Sequence, residues 1–164
     1  MRRRYNKEYY GDLIHKLNEN INDVGIGVDV IIGFPGESEK QFVNTYNFLV
    51  SLPVSYLHVF NYSERRNTDA VLLPDKVDVR ERKIRSEMLR NLSDKKRFEF
   101  YSKFIGTNRK VLFESRKSDD YIEGFTANYI RVKAKAGNEV ENSIKTVKLN
   151  KADGVKPVIA DILD

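Results

Sequence analysis

Apolar residues recur at helical spacing over residues 6–20, where Tyr9, Leu13, Ile14 and Leu17 mark one face of an amphipathic helix. The next apolar stretch differs in kind. Residues 26–32 read IGVDVII, β-branched, nearly continuous and closed by Gly33, which predicts a strand buried on both faces as in a parallel sheet. Ser38 followed by Gln41 has the order of a capping box, and Phe42, Tyr46, Leu49 and Val50 supply the stripe of a second helix that Pro53 ends. A second strand follows over residues 55–62 (SYLHVFNY). Helix, strand, helix, strand implies a right-handed crossover unit and an α/β architecture. Residues 63–78 (SERRNTDAVLLPDKVD) show no period and predict a long loop. A long helix then runs over residues 79–104, with Ile84, Met88, Leu92, Tyr101 and Ile105 as an interrupted apolar face and Gly106 as its stop.

Beyond Gly106 the pattern turns to short β-rich runs, at 110–114, 121–125, 129–134, 146–149 and 155–162, separated by turn residues. Five such runs close together predict a small closed antiparallel β-barrel, which leaves no strand edge open. The expected division is residues 1–105, α/β, and residues 106–164, the barrel.

Composition narrows the chemistry. The chain has 164 residues, 29 Lys plus Arg against 24 Asp plus Glu, two His and no Cys. Without Cys these residues offer no disulfide, no thiolate zinc site, no iron–sulfur ligand and no Cys nucleophile, and two His leave little scope for another metal site. No apolar run approaches the ~20 residues of a membrane helix, and MRRRY leads into polar residues rather than a signal-peptide core. A cytoplasmic protein with no membrane partner is expected. The net charge of +5 is uneven: residues 80–117 carry 13 Lys plus Arg against 5 Asp plus Glu, a net +8, and the rest of the chain is net −3. Such a belt fits a solvated helix face and contact with a polyanion alike.

Three stretches carry candidate chemistry. DVIIGFPGES (residues 29–38) runs from a buried strand through Gly33 and Gly36 into a helix, either an ordinary connection or a ligand site at a strand's carboxyl end, with Glu37 as a hydrogen-bond acceptor for a ribose or amine. In LHVFNYSERRNT (residues 57–68), His58, Phe60 and Tyr62 alternate and point to one side; a strand His is first a core residue, and a pocket wall if that side lines a barrel interior. In YIEGFTANYIRVKA (residues 121–134), Tyr121, Phe125 and Tyr129 lie among Arg131 and Lys133, a mixture that suits stacking on unpaired RNA bases. Half of those aromatics are expected in the core of so small a barrel, with Tyr129, Arg131 and Lys133 at alternating surface positions. No Ser/His/Asp set or acid–base pair is evident, so no catalytic residue is assigned.

Taken in order, MRRRY (1–5), DVIIGFPGESEKQF (29–42), YLHVFNYSERRNT (56–68) and EGFTANYIRVKA (123–134) resemble the C-terminal half of the radical S-adenosylmethionine methylthiotransferases. HVF followed by YSxR is most similar to the branch that acts on threonylcarbamoyladenosine beside the tRNA anticodon. The resemblance implies the C-terminal part of a radical S-adenosylmethionine barrel, a partial TIM-like barrel, followed by an OB-like TRAM barrel that binds RNA. It implies S-adenosylmethionine and two [4Fe–4S] clusters as cofactors of the full-length enzyme. By position, Gly33, Phe34, Pro35, Gly36, Glu37, His58, Phe60 and Tyr62 would border the S-adenosylmethionine pocket. Arg2, Arg3, Arg4 and Arg65, with Lys110, Tyr129, Arg131 and Lys133 of the barrel, would approach tRNA. Family members bind their clusters through CxxxCxxC and three further Cys, all missing here. The expectation is therefore a C-terminal fragment that holds no cofactor and is inactive alone. Residues 66–69 read RNTD where relatives commonly have PGTP, which questions that loop's conformation. A truncated barrel also leaves strand edges at 26–32 or 55–62 unpaired and predicts self-association. Two other readings are a free-standing RNA-binding module with a vestigial α/β segment, and a methylthiotransferase acting on a ribosomal protein.

Overall fold

A computed structural model describes residues 4–118 and 121–163, with side chains of 115–118 and 138 left aside. The chain forms two compact units, Met1–Ser93 and Asp94–Asp164.

In the first unit, helix α1 (Lys7–Asn20) starts at Asn6, whose side-chain oxygen accepts the Tyr9 N–H at 2.8 Å. Strand β1 (Gly27–Ile32), helix α2 (Glu39–Ser51) and strand β2 (Tyr56–Asn61) make the expected crossover, and β1 and β2 pair in parallel from Gly27 opposite Tyr56 to Ile32 opposite Asn61. The capping box of α2 is complete: Ser38 Oγ accepts the Gln41 N–H at 3.3 Å and Gln41 Oε1 accepts the Ser38 N–H at 2.8 Å. A short 3-10 turn (Asp69–Leu72) interrupts the long loop. Helix α3 (Val79–Ser102) follows, and its first part completes this unit. One face of the two-stranded sheet is covered: Val28, Ile32 and Leu57 pack with Ile14, Phe42, Leu49, Leu89 and Leu92. Burial of each large side chain contributes about 1.5–3 kcal/mol.

Three expectations change here. Strand β1 is not buried on both faces; Gly27, Asp29 and Ile31 are exposed while Val28 and Ile32 are buried, because the described structure covers only one side of the sheet. In α1 the inward face is Gly11 and Ile14, with Tyr10 and Leu17 beside them, while Tyr9 and Leu13 face out. In the part of α3 that belongs to this unit, Ile84 and Met88 face out and the buried positions are Arg85, Ser86, Leu89, Leu92 and Ser93. That inward stripe is partly polar: Ser93 Oγ takes the Leu57 N–H and donates to the Leu57 carbonyl (2.8 and 2.9 Å), while the buried Ser86 hydroxyl has no hydrogen-bond partner among the described residues; hydrophobic spacing places Leu92 and Tyr101 correctly but Ile84 and Met88 on the wrong side.

The second unit is the closed barrel. Strands β3 (Asn108–Ser118), β4 (Tyr121–Thr126), β5 (Arg131–Lys135), β6 (Ser143–Lys151) and β7 (Val158–Ile162) are arranged β3-β4-β5-β7-β6, and β6 returns to β3. The pairing is antiparallel except between β5 and β7, which run parallel. The unit begins inside α3 rather than at Gly106 because Phe100, Tyr101 and Phe104 belong to the barrel core. The rest of that core is mostly aliphatic: Val111, Ile122, Ile130, Val132, Val147 and Leu149 are fully buried, with Phe113 among them. Tyr121, Phe125 and Tyr129 are not in it, against the expectation that half would be.

Candidate functional site

The first candidate lies where β1 and β2 end. Gly33 leaves β1 with φ +73° and Gly36 follows with φ +85°, left-handed conformations that favour glycine. At Gly33 a side chain would also collide with Arg82. Phe34 turns its ring edge to Tyr62 at 5.3 Å between centroids, and Pro35 is buried beneath. The Gly36 N–H donates to the Asp75 carbonyl at 2.8 Å, tying this turn to the loop after β2. His58 and Phe60 stand on the uncovered face with Asp29 and Ile31 as strand partners, Phe60 being 51% exposed. The Tyr62 hydroxyl is buried and has no hydrogen-bond partner among the described residues. Turn backbone, a phenyl ring and an unsatisfied hydroxyl thus meet at the carboxyl end of two parallel strands, the place where α/β sheets bind ligands.

Glu37 has a different place from the one its sequence position suggests. Its Oε2 accepts the Gly33 N–H at 2.7 Å and the Arg85 guanidinium at 2.9 Å, so this oxygen serves its own loop. Arg85, with a side chain 5% exposed, also reaches Glu81 at 2.9 Å and Glu39 at 3.3 Å. Burial pulls its pKa down, but hydrogen bonds and charge from Glu81 and Glu37 outweigh that and hold it above the ordinary arginine value. Arg82 donates through Nε to the Val77 carbonyl (2.9 Å) and through Nη1 to the Tyr62 carbonyl (3.3 Å). Sequence reading missed both arginines, since their partners lie far along the chain; only the Glu81–Arg85 spacing of four hinted at one contact.

The second candidate is the outer face of the barrel. Ile144, Leu112, Phe125 and Arg131 are successive cross-strand neighbours on β6, β3, β4 and β5. With Lys110 and Tyr129 the first three line an open groove of about 510 Å³. Ile144 is 64% and Tyr129 67% exposed, so the groove presents apolar surface to solvent. Tyr129 is not on a strand: it sits in the turn before β5 at φ +64°, uncommon for a bulky residue. The turn holds it there, with the Tyr129 N–H on the Thr126 carbonyl at 3.0 Å and the Ile130 N–H on Thr126 Oγ1 at 2.9 Å. Arg131 reaches one oxygen of Glu123, Oε2, through both Nε and Nη2 (2.8 and 2.7 Å), and Lys133 lies over the Tyr121 ring at 4.2 Å. Lys110 and Tyr129 thus share the groove, while Arg131 and Lys133 sit along its continuation on β5.

Arg2 and Arg3 lie outside the described residues, and Arg4 is exposed. Arg65 is exposed on the loop after β2, where its carbonyl accepts the Thr68 hydroxyl at 2.8 Å. Asn67 takes φ +65° there, a conformation Asn tolerates where Gly is absent. No Cys is present, and among the described residues no His/Cys/Asp/Glu cluster could hold a metal ion, so the residues here do not fit an iron–sulfur cluster. No helix among the described residues is long and apolar enough to cross a membrane.

No family model matches the chain. Over nearly its whole length the chain is similar to tRNA methylthiotransferases. It is 35% identical over 156 residues to the threonylcarbamoyladenosine tRNA methylthiotransferase MtaB of Bacillus subtilis, covering 93% of this chain and 35% of that protein. The Aquifex aeolicus MtaB is 38% identical over 148 residues, covering 90% and 35%. A tRNA-2-methylthio-N(6)-dimethylallyladenosine synthase of Endomicrobium trichonymphae is 33% identical over 159 residues, covering 94% and 38%. The chain spans about a third of the length of these relatives.

Proposed function

We propose that this chain is the C-terminal portion of a cytoplasmic methylthiotransferase that adds a methylthio group to threonylcarbamoyladenosine in tRNA. The observation that carries the reading is the match to tRNA methylthiotransferases across both units, including two of the threonylcarbamoyladenosine type at 35% and 38% identity. These names favour tRNA over a ribosomal protein as substrate, and the match through the α/β unit argues against a bare RNA-binding module. On this reading β1 and β2 are the last strands of a radical S-adenosylmethionine barrel, and their uncovered face, with Asp29, Ile31, His58 and Phe60, is part of its inner wall.

The division of labour follows from the residues. S-adenosylmethionine, together with iron–sulfur chemistry held outside these residues, supplies the radical and the methyl group. This chain contributes the turn at residues 33–37, with Phe34 and Tyr62, as one side of the nucleoside pocket. The barrel contributes the tRNA contact: unpaired bases stack on Tyr129 and Phe125, the Leu112 and Ile144 side chains exclude water, and Lys110 meets phosphate. Arg65 and Arg4 are further phosphate contacts, as are Arg131 and Lys133 along β5. Fluorescence titration of this chain with an anticodon stem-loop at two salt concentrations tests the barrel's part. Affinity that falls as salt rises, by a slope of about −0.7 per phosphate contact on single strands, supports it; no salt-dependent binding contradicts it.

A further inference from the structure

Most of the basic belt reads from sequence as solvent-facing charge, yet Arg82 and Arg85 turn inward, with side chains only 11% and 5% exposed. We propose that these two arginines are positioning residues for the S-adenosylmethionine pocket: one turn of α3 fixes the shape of both loops that leave the carboxyl ends of β1 and β2. The inference rests on the reading of those ends as part of that pocket.

Arg85 holds the first loop. The Gly33 N–H, where the chain leaves β1, donates to Glu37 Oε2 at 2.7 Å, so the loop closes on its own carboxylate. Arg85 Nη1 grips the same carboxylate at 2.9 Å and the Glu37 carbonyl at 3.0 Å. Its Nε and Nη2 are directed to Glu81 and Glu39, and the guanidinium lies 5.2 Å from the Phe42 ring centroid. A planar fork meets four acceptor groups at once; an ammonium, a point charge on a flexible stem, does not reproduce that arrangement.

Arg82 holds the second loop. Its guanidinium takes the Tyr62 and Val77 carbonyls, which bracket the loop, reaches Glu64 at 3.5 Å and lies 5.6 Å from the Tyr62 ring centroid. Its aliphatic stem fills the space a Gly33 side chain would need. The same residue therefore supports Tyr62 and fixes the exit of β1. Contact between the loops, through Gly36 N–H to the Asp75 carbonyl and Phe34 against Tyr62, makes the two holds interdependent.

The test uses R85K and R82K in two settings. In this chain, amide hydrogen exchange over residues 33–37 and 62–77 is expected to quicken at least tenfold, with barrel residues 121–135 unchanged as the internal control. K83M, an exposed neighbour on the same helix, is expected to leave both loops unchanged. In the complete methylthiotransferase, R85K is expected to raise the KM for S-adenosylmethionine at least tenfold and to leave the KM for tRNA within twofold. Unchanged loop exchange overturns the proposal, and so does faster exchange with an unaltered KM for S-adenosylmethionine. If R85K unfolds the first unit, R82K carries the same readouts. A wild-type enzyme whose turnover is independent of S-adenosylmethionine overturns the pocket reading and the cofactor half of the proposal with it, while exchange still decides whether the arginines lock the loops.

Discussion

Arg85 shows how much one residue fixes. A guanidinium with three carboxylate partners and 5% exposure cannot be truncated without stranding the Glu37 carboxylate, whose side chain is only 15% exposed. Arg85→Ala is therefore expected to destabilise the first unit by about 3 kcal/mol or more, read from the urea midpoint of its unfolding. Lys96 behaves in the opposite sense. Burial holds its ammonium below the ordinary lysine value of 10.5, Lys95 and Lys103 add to the effect, and Glu99 opposes it. A cation whose folded pKa is depressed costs stability while it is charged. That cost is full below the folded pKa and disappears as pH rises to 10.5. The stability advantage of Lys96→Met over wild type is thus expected to shrink across that window in paired urea titrations; an advantage constant with pH would contradict the assignment. On the barrel, Tyr129→Ala and Phe125→Ala lie outside the core, so each is expected to weaken RNA binding by about 1–3 kcal/mol with the barrel still folded by circular dichroism.

At the scale of elements, the two loop glycines separate conformation from contact. Both Gly33 and Gly36 are left-handed, but only at Gly33 does a side chain meet Arg82; around Gly36 there is open space. Gly36→Ala should cost about 1 kcal/mol and Gly33→Ala clearly more, a ranking that thermal melts of the two variants check. The elements themselves were largely legible in the chain. Ser38 and Gln41 announced the start of α2, the β-branched run at 26–32 announced β1, the run SYLHVFNY announced β2, and five short runs announced a closed barrel. What spacing could not give was the inward side of a helix that buries polar residues: in α3, Arg85, Ser86 and Ser93 are buried while Ile84 and Met88 face water. Near the strand ends, the turn at Gly33–Gly36 and Tyr62 meet through Phe34 against the Tyr62 ring, whereas Glu37 turns back onto the Gly33 N–H and Arg85. The barrel groove was only half legible. Lys110 and Tyr129 were named, but Leu112 and Ile144 join them through β3–β6 register, a long-range pairing no local pattern carries.

For the whole molecule, the two-stranded sheet and the closed barrel have opposite exposure. The barrel pairs every strand on both sides, whereas β1 and β2 pair only with each other among the described residues and show Ile31 and Phe60 to solvent. The first unit alone is therefore expected to self-associate through open edges and this face. Light scattering should detect species larger than a monomer that Phe60→Lys reduces, and a monomer at all concentrations would contradict it. The central claim concerns tRNA, and its most direct test is mass spectrometry of tRNA nucleosides from cells in which the gene encoding this chain has been deleted. The account predicts that methylthio-threonylcarbamoyladenosine disappears while threonylcarbamoyladenosine remains. An unchanged level of the methylthiolated nucleoside would contradict it.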